Sequence, residues 1–184
     1  MKILVVIEHD NNSIKQSSLS TITAANKIAE NVEAIILGKG ISGALEDLKK
    51  CDFLKKINSI DNEIFENQIA ENLSTAILKF TEGKNFTHIL SPSSTFGKNL
   101  SPKLSALLDV QQISDITNII DQDTYERPIY AGNAIARVKS NDEIKVITVR
   151  PTCFEPCNQN SAVVSEEFSL DTAKNDNVNF VSYD

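Results

Sequence analysis

Four times within the first 108 residues, an apolar run of strand length is followed by apolar residues at helical spacing, which restricts the chain to a few α/β folds. Lys2 to Ile7 is a near-continuous apolar run, as expected for a strand covered on both faces. Leu19, Ile22, Ala25, Ile28 and Ala29 then recur as one helical face, with Ser17 or Ser18 as the expected N-cap. Val32 to Leu37, closed by Gly38, precedes a helix marked by Ala44, Leu45, Leu48 and Cys51. Lys56 to Ile60 is a short third strand, followed by the clearest stripe in the chain at Ile69, Leu73, Ala76, Ile77 and Phe80. Thr87 to Leu90 and a helix from about Lys98 to Leu108 form the fourth unit. Such alternation predicts a parallel sheet with right-handed crossovers.

Beyond Val110 the pattern changes. Ile113 to Ile120, Thr124 to Ile129, Ala134 to Lys139 and Lys145 to Val149 are β-like segments joined by polar turns, so antiparallel strands and a mixed sheet are expected. From Asn158 to Asp184 the chain is polar, with Val163, Val164, Phe168, Phe180 and Val181 as apolar footholds. This part reads as a linker or docking arm after one domain over residues 1–157.

Composition narrows the function. A net charge of −7 with scattered lysines excludes the basic stripe that phosphate-backbone binding needs, so nucleic acid is not an expected partner. No apolar run approaches the ~18 residues of a membrane span, and the apolar start is too short for a signal sequence. No membrane insertion is expected. A cytoplasmic location follows, or an organellar matrix after removal of a presequence. Cys51, Cys153 and Cys157 have no CxxC spacing and suit a reducing compartment. Two thiols four apart could join His9 or His88 around zinc, but without a second ligand pair no metal site is expected.

Two stretches are site candidates. In SPSSTFGKNL, the hydroxyls of Ser93, Ser94 and Thr95, the amides around Gly97 and the Lys98 ammonium follow a strand and open a helix, where α/β proteins hold anions. The same residues also read as a capped helix start with a solvated lysine, and no GxxxxGK[ST] or GxGxxG pattern is present. His9, between Glu8 and Asp10 after the first strand, could be poised as a base or could lock a turn. His88 reads as a satisfied structural histidine. In RPIYAGNA, Gly132 and Asn133 suit a tight turn, while Arg127, Tyr130 and Asn133 are candidate partner contacts.

The blocks EHD, TITAA, THILSPSSTFGKNLSPKLSALLDV, ISDIT, RPIYAGNA and KVITVRPT, in this order, closely resemble the N-terminal domain of the electron-transfer flavoprotein alpha subunit over about residues 1 to 154. The resemblance implies a three-layer, Rossmann-like α/β fold of the adenine nucleotide alpha-hydrolase-like kind, with a mostly parallel sheet and an antiparallel extension. It also implies a heterodimer with a beta subunit. Through the whole complex, electrons would pass from acyl-CoA and other dehydrogenases to a quinone oxidoreductase.

The family's FAD is gripped mainly by a second domain, whose Arg-Pro-Glu-Leu and Ser-Gly-Gly-Arg-Gly motifs do not occur in this sequence. Phe180 to Asp184 resembles the point just before that domain begins. This chain alone is therefore expected to hold no cofactor and to have no catalytic site of its own. The competing expectation is a stand-alone adenine-nucleotide binder or hydrolase using His9 and the Ser93 to Lys98 turn.

Overall fold

A computed structural model describes residues 1–170, 174, 175 and 177–182. Tyr183 and Asp184, where the sequence points to an approaching second domain, lie outside the described residues.

The strand and helix pairs fall where the alternation places them: β1 (Ile3–Val6), α1 (Gln16–Ile28), β2 (Val32–Gly38), α2 (Ser42–Lys49), β3 (Leu54–Asp61), α3 (Ala70–Thr81), β4 (His88–Pro92) and α4 (Thr95–Leu108). The chain continues through β5 (Gln112–Ile116), β6 (Asn118–Ile119), β7 (Thr124–Ile129), β8 (Ala134–Lys139), β9 (Lys145–Val149) and β10 (Ser165–Glu167). Seven strands form one sheet in the order β10-β3-β2-β1-β4-β9-β5, and every pair in it is parallel.

The layers follow from the pleat. In β1, Ile3 and Val5 face one cluster with Ile22, Ala25 and Leu48 of α1 and α2. Leu4 and Val6 face the other cluster, with Leu73, Ile77, Leu100 and Leu104 of α3 and α4. The first two crossovers build outward from β1 to β3, and α3 then carries the chain back past β2 and β1. A right-handed return puts α3 on the opposite face. The strand order therefore switches direction between β1 and β4.

Two expectations need correction. The large sheet is not mixed: β5 and β9 pair parallel within it, and the antiparallel extension is a separate sheet of order β6-β7-β8. Local sequence gives strand identity but not the partner, and β9 slots between β4 and β5 through contacts distant in sequence. Neither Ser17 nor Ser18 caps α1; the N-cap residue is Lys15, without a side-chain bond. The two serines turn instead to the end of β1, where Ser17 Oγ donates to Glu8 Oε2 at 2.6 Å and Glu8 N–H donates to Ser18 Oγ at 2.8 Å.

The polar tail is in part an element of the fold. β10 adds to the outer edge of β3, Phe168 N–H donates to Ser59 O at 2.8 Å, and the Phe168 ring meets Phe80 edge-on at 5.3 Å.

Candidate docking surface and sheet edge

The carboxyl edge at the switch between β1 and β4 is where open α/β sheets bind ligands. β4 ends at Pro92, and Ser93 N–H is fixed to Val149 O of β9 at 2.7 Å. Ser94 is the N-cap of α4: its hydroxyl accepts from Gly97 N–H at 3.4 Å, and its carbonyl accepts from Lys98 N–H at 2.9 Å. Gly97 is required by proximity rather than by flexibility, since a Cβ there would lie 1.9 Å from Pro92 O. Thr95 and Lys98 are exposed.

Sequence reasoning missed the acidic side of this edge. Asp115 interrupts β5 with a left-handed φ of 61°, its N–H donates to Thr148 Oγ1 at 2.7 Å, and its carboxylate pairs with Arg150. The Arg150 guanidinium holds the Asp115 carboxyl below the usual carboxylate range, with weaker help from Ser93 and Lys98. Ser93 Oγ leans on that carboxylate electrostatically but is buried without a hydrogen bond of good geometry. The acid inside ISDIT and the arginine ending VITVR were the available signals. An anion entering the Ser93 to Lys98 turn would meet this carboxylate.

His9 belongs to the neighbouring turn. Its Nδ1 accepts from Asn11 N–H at 3.0 Å, so the proton sits on Nε2 and is donated to Leu37 O at 2.9 Å. Gln68 reaches the same residue, donating to His9 O at 2.9 Å. Burial lowers the His9 pKa below its ordinary 6.5, against the raising effect of its bond to Leu37. The ring is 5% exposed and clamps β1 to β2, a turn lock rather than an open base. His88 is likewise buried and neutral-favouring, bonded through Nε2 to Gln122 O at 2.8 Å and through Nδ1 to Thr87 Oγ1 at 2.8 Å. Among the described residues, no group of three His, Cys, Asp or Glu side chains is arranged to hold a metal ion.

Arg127 lies on β7 of the small sheet, and Tyr130 and Asn133 lie in the turn that joins β7 to β8. The sheet is anchored by Tyr125, fully buried, whose hydroxyl donates to Gln122 O at 2.5 Å. β6 reaches only Tyr125 and Glu126, so the rungs Arg127–Ala136, Pro128–Ile135 and Ile129–Ala134 form a two-stranded arm. Its tip places Tyr130, Ala131 and Gly132 successively in the left-handed region, with φ of 51°, 55° and 91°. Tyr130 is 80% exposed and Ile135 58% exposed, while Arg127 Nε is buried without a hydrogen-bond partner. A two-stranded ribbon is marginal in water by itself, and Tyr130 and Ala131, two non-glycine residues in the left-handed region, add strain at its tip.

No helix of the described residues is long and apolar enough to cross a membrane. Residues 3–178 match the family model of the electron transfer flavoprotein domain. The chain is 41% identical over 155 residues to the electron transfer flavoprotein subunit alpha of Pseudomonas aeruginosa, covering 84% of this chain and 50% of that protein. It is 43% identical over 158 residues to the mitochondrial subunit alpha of Dictyostelium discoideum, covering 83% and 44% respectively. A probable mitochondrial subunit alpha of Caenorhabditis elegans is 36% identical over 156 residues, covering 85% and 47%. The chain spans about half the length of these relatives.

Proposed function

The chain belongs to the electron transfer flavoprotein family, and from that premise we propose that it is the scaffold and docking domain of an alpha subunit. In this reading it pairs with a beta subunit and supports an FAD-holding part of the assembly. The whole complex carries electrons from acyl-CoA and other dehydrogenases to a quinone oxidoreductase. The domain is an electron-carrier component without a catalytic site of its own. Its compartment would be the bacterial cytoplasm or the mitochondrial matrix, and fatty acid β-oxidation the process it serves.

The observation that carries this reading is the β7–β8 arm: exposed apolar side chains at Tyr130 and Ile135 on a ribbon with little support of its own. Arg and Tyr are the side chains that most often anchor interfaces, and Arg127 and Asn133 flank the tip.

The carboxyl edge does not fit FAD. Its first turn is filled by His9, Gln68 and the Asp10–Lys15 pair rather than by glycines. A cavity of about 340 Å³ beside it is lined by Lys39 and Lys174 as well as Glu63 and Glu66, with Lys39 already paired to both acids rather than set aside for a pyrophosphate. The chemistry FAD supplies when bound, accepting and passing on electrons, is therefore assigned to other parts of the assembly. Residues of this chain supply packing and orientation. The stand-alone nucleotide binder is disfavoured by the Asp115 carboxylate beside the Ser93 to Lys98 turn.

The test is titration of the purified chain with beta subunit, with flavin absorbance followed in parallel. Complex formation that Tyr130→Ala weakens, by a chain without flavin colour, is the expected result. Stoichiometric FAD on this chain alone, or micromolar ATP or AMP affinity with no complex, would overturn the reading.

A further inference from the structure

The proposed function leaves two buried thiols unused. Cys51 follows α2 directly and is fully buried; Cys157, 6% exposed, lies in the segment after β9. They stand 106 positions apart in sequence yet share one core cluster. The residues that follow them are joined by their backbones, Asp52 N–H donating to Asn158 O at 2.9 Å, while Cys157 N–H is held by Leu19 O at 3.3 Å. Gln159, two residues after Cys157, donates through Nε2 to Asp47 O at 3.1 Å and brings that nitrogen 4.0 Å from Cys51 Sγ. Each thiol acts on the other's titration, drawing the Cys157 pKa down and pushing that of Cys51 up.

We propose that Cys51 and Cys157 are a redox-modification site, a dithiol that closes reversibly to a disulfide and fastens the C-terminal segment to the end of α2. Without the bond, the segment is held there by single hydrogen bonds: Ser161 N–H to Lys50 O at 2.9 Å, Ser161 Oγ to Asp52 Oδ1 at 2.6 Å, and Val163 N–H to Lys49 O at 2.8 Å. A covalent tie just upstream holds this lacing, and through it the approach to β10.

The oxidant is hydrogen peroxide, small enough to reach a nearly buried sulfur. The Cys157 thiolate attacks one peroxide oxygen, the O–O bond breaks, hydroxide leaves and a sulfenic acid forms. The Cys51 thiol then attacks that sulfur, the S–O bond breaks, and water leaves as the S–S bond forms. Two electrons pass from the sulfurs to peroxide, and the two thiol protons end in two waters. A small dithiol reverses the change. Cys153, exposed on the 3-10 turn Pro151–Cys153, is the competing thiol.

The experiment uses the full chain carrying Cys153→Ser, treated with hydrogen peroxide, alkylated, and mapped by mass spectrometry without reduction. A Cys51–Cys157 cross-linked peptide pair is expected. Amide exchange in the peptide containing Ser161 and Val163 should slow on the order of tenfold or more and recover with dithiothreitol. Mapping of the wild-type chain needs no variant and checks that the serine substitution has not altered the fold. Thiols at 51 and 157 that survive peroxide, their separate over-oxidation, or cross-links only between chains would each overturn the proposal.

Discussion

The parallel sheet and the β7–β8 arm draw on similar side chains under opposite constraints. In β1 and β2 every residue is buried, each face is covered by helices, and alternate side chains are committed to one cluster or the other. In β8, half-buried and exposed residues alternate, and Ile135 stands in solvent. The first region is over-determined from within the chain. The second is finished only when something else covers it, so substitutions should separate the two regions by what they damage.

The largest loss is expected from Phe80→Ala. Phe80 is 1% exposed, packs against Phe86 and Phe168, and lies under Lys84, so its truncation removes core volume and loosens the tail together. Denaturant unfolding should show a loss of about 4 kcal/mol. A loss below about 1 kcal/mol would mean the cluster is less tightly packed than its burial implies. Next comes Gly97→Ala, which drives a methyl into Pro92 O and toward Ser91 Oγ, and should cost about 3 kcal/mol in the same measurement. An unchanged midpoint would show that the β4–α4 turn can yield.

The third test uses pH. Burial lowers the pKa of both His9 and His88 below 6.5, so the unfolded chain binds more protons than the folded one as pH falls below that value. Stability present near neutral pH should therefore decline through the window beneath pH 6.5. His9→Gln should flatten part of that slope by removing one of the two titrating groups. A stability curve with no decline there would contradict the neutral His9 bridging Leu37 O and Asn11 N–H.

The smallest effect on stability belongs to the arm. Tyr130→Ala should change the unfolding free energy by less than about 0.5 kcal/mol, as for an exposed side chain. In a titration with beta subunit it should cost about tenfold or more in affinity. The comparison between the two regions fails if Tyr130→Ala destabilises the isolated chain as much as Gly97→Ala does.

The sheet was legible in sequence because burial on both faces writes itself as continuous apolar runs, and α1, α3 and α4 as spaced stripes. What local pattern cannot carry is partnership. β9 reads as just another short strand, although its parallel place between β4 and β5 decides the topology. β10 is Ser165-Glu166-Glu167, without an apolar residue, and forms because Ser59 and Lys56 on β3 meet it. Of the two candidate sites, the arm's turn at Gly132 was visible through residue type. The Asp115–Arg150 pair was hidden because its partners lie 35 positions apart and meet only through tertiary placement.

One consequence of β10 concerns biosynthesis. The outer edge of β3 is completed by residues more than a hundred positions later in the chain. While the polypeptide is still emerging, that edge is a bare row of amides and carbonyls, open to pairing with strands from neighbouring nascent chains. A strand made long after its neighbour is thus the one that seals this edge against clumping, and a chain released before residue 165 would leave the seam open.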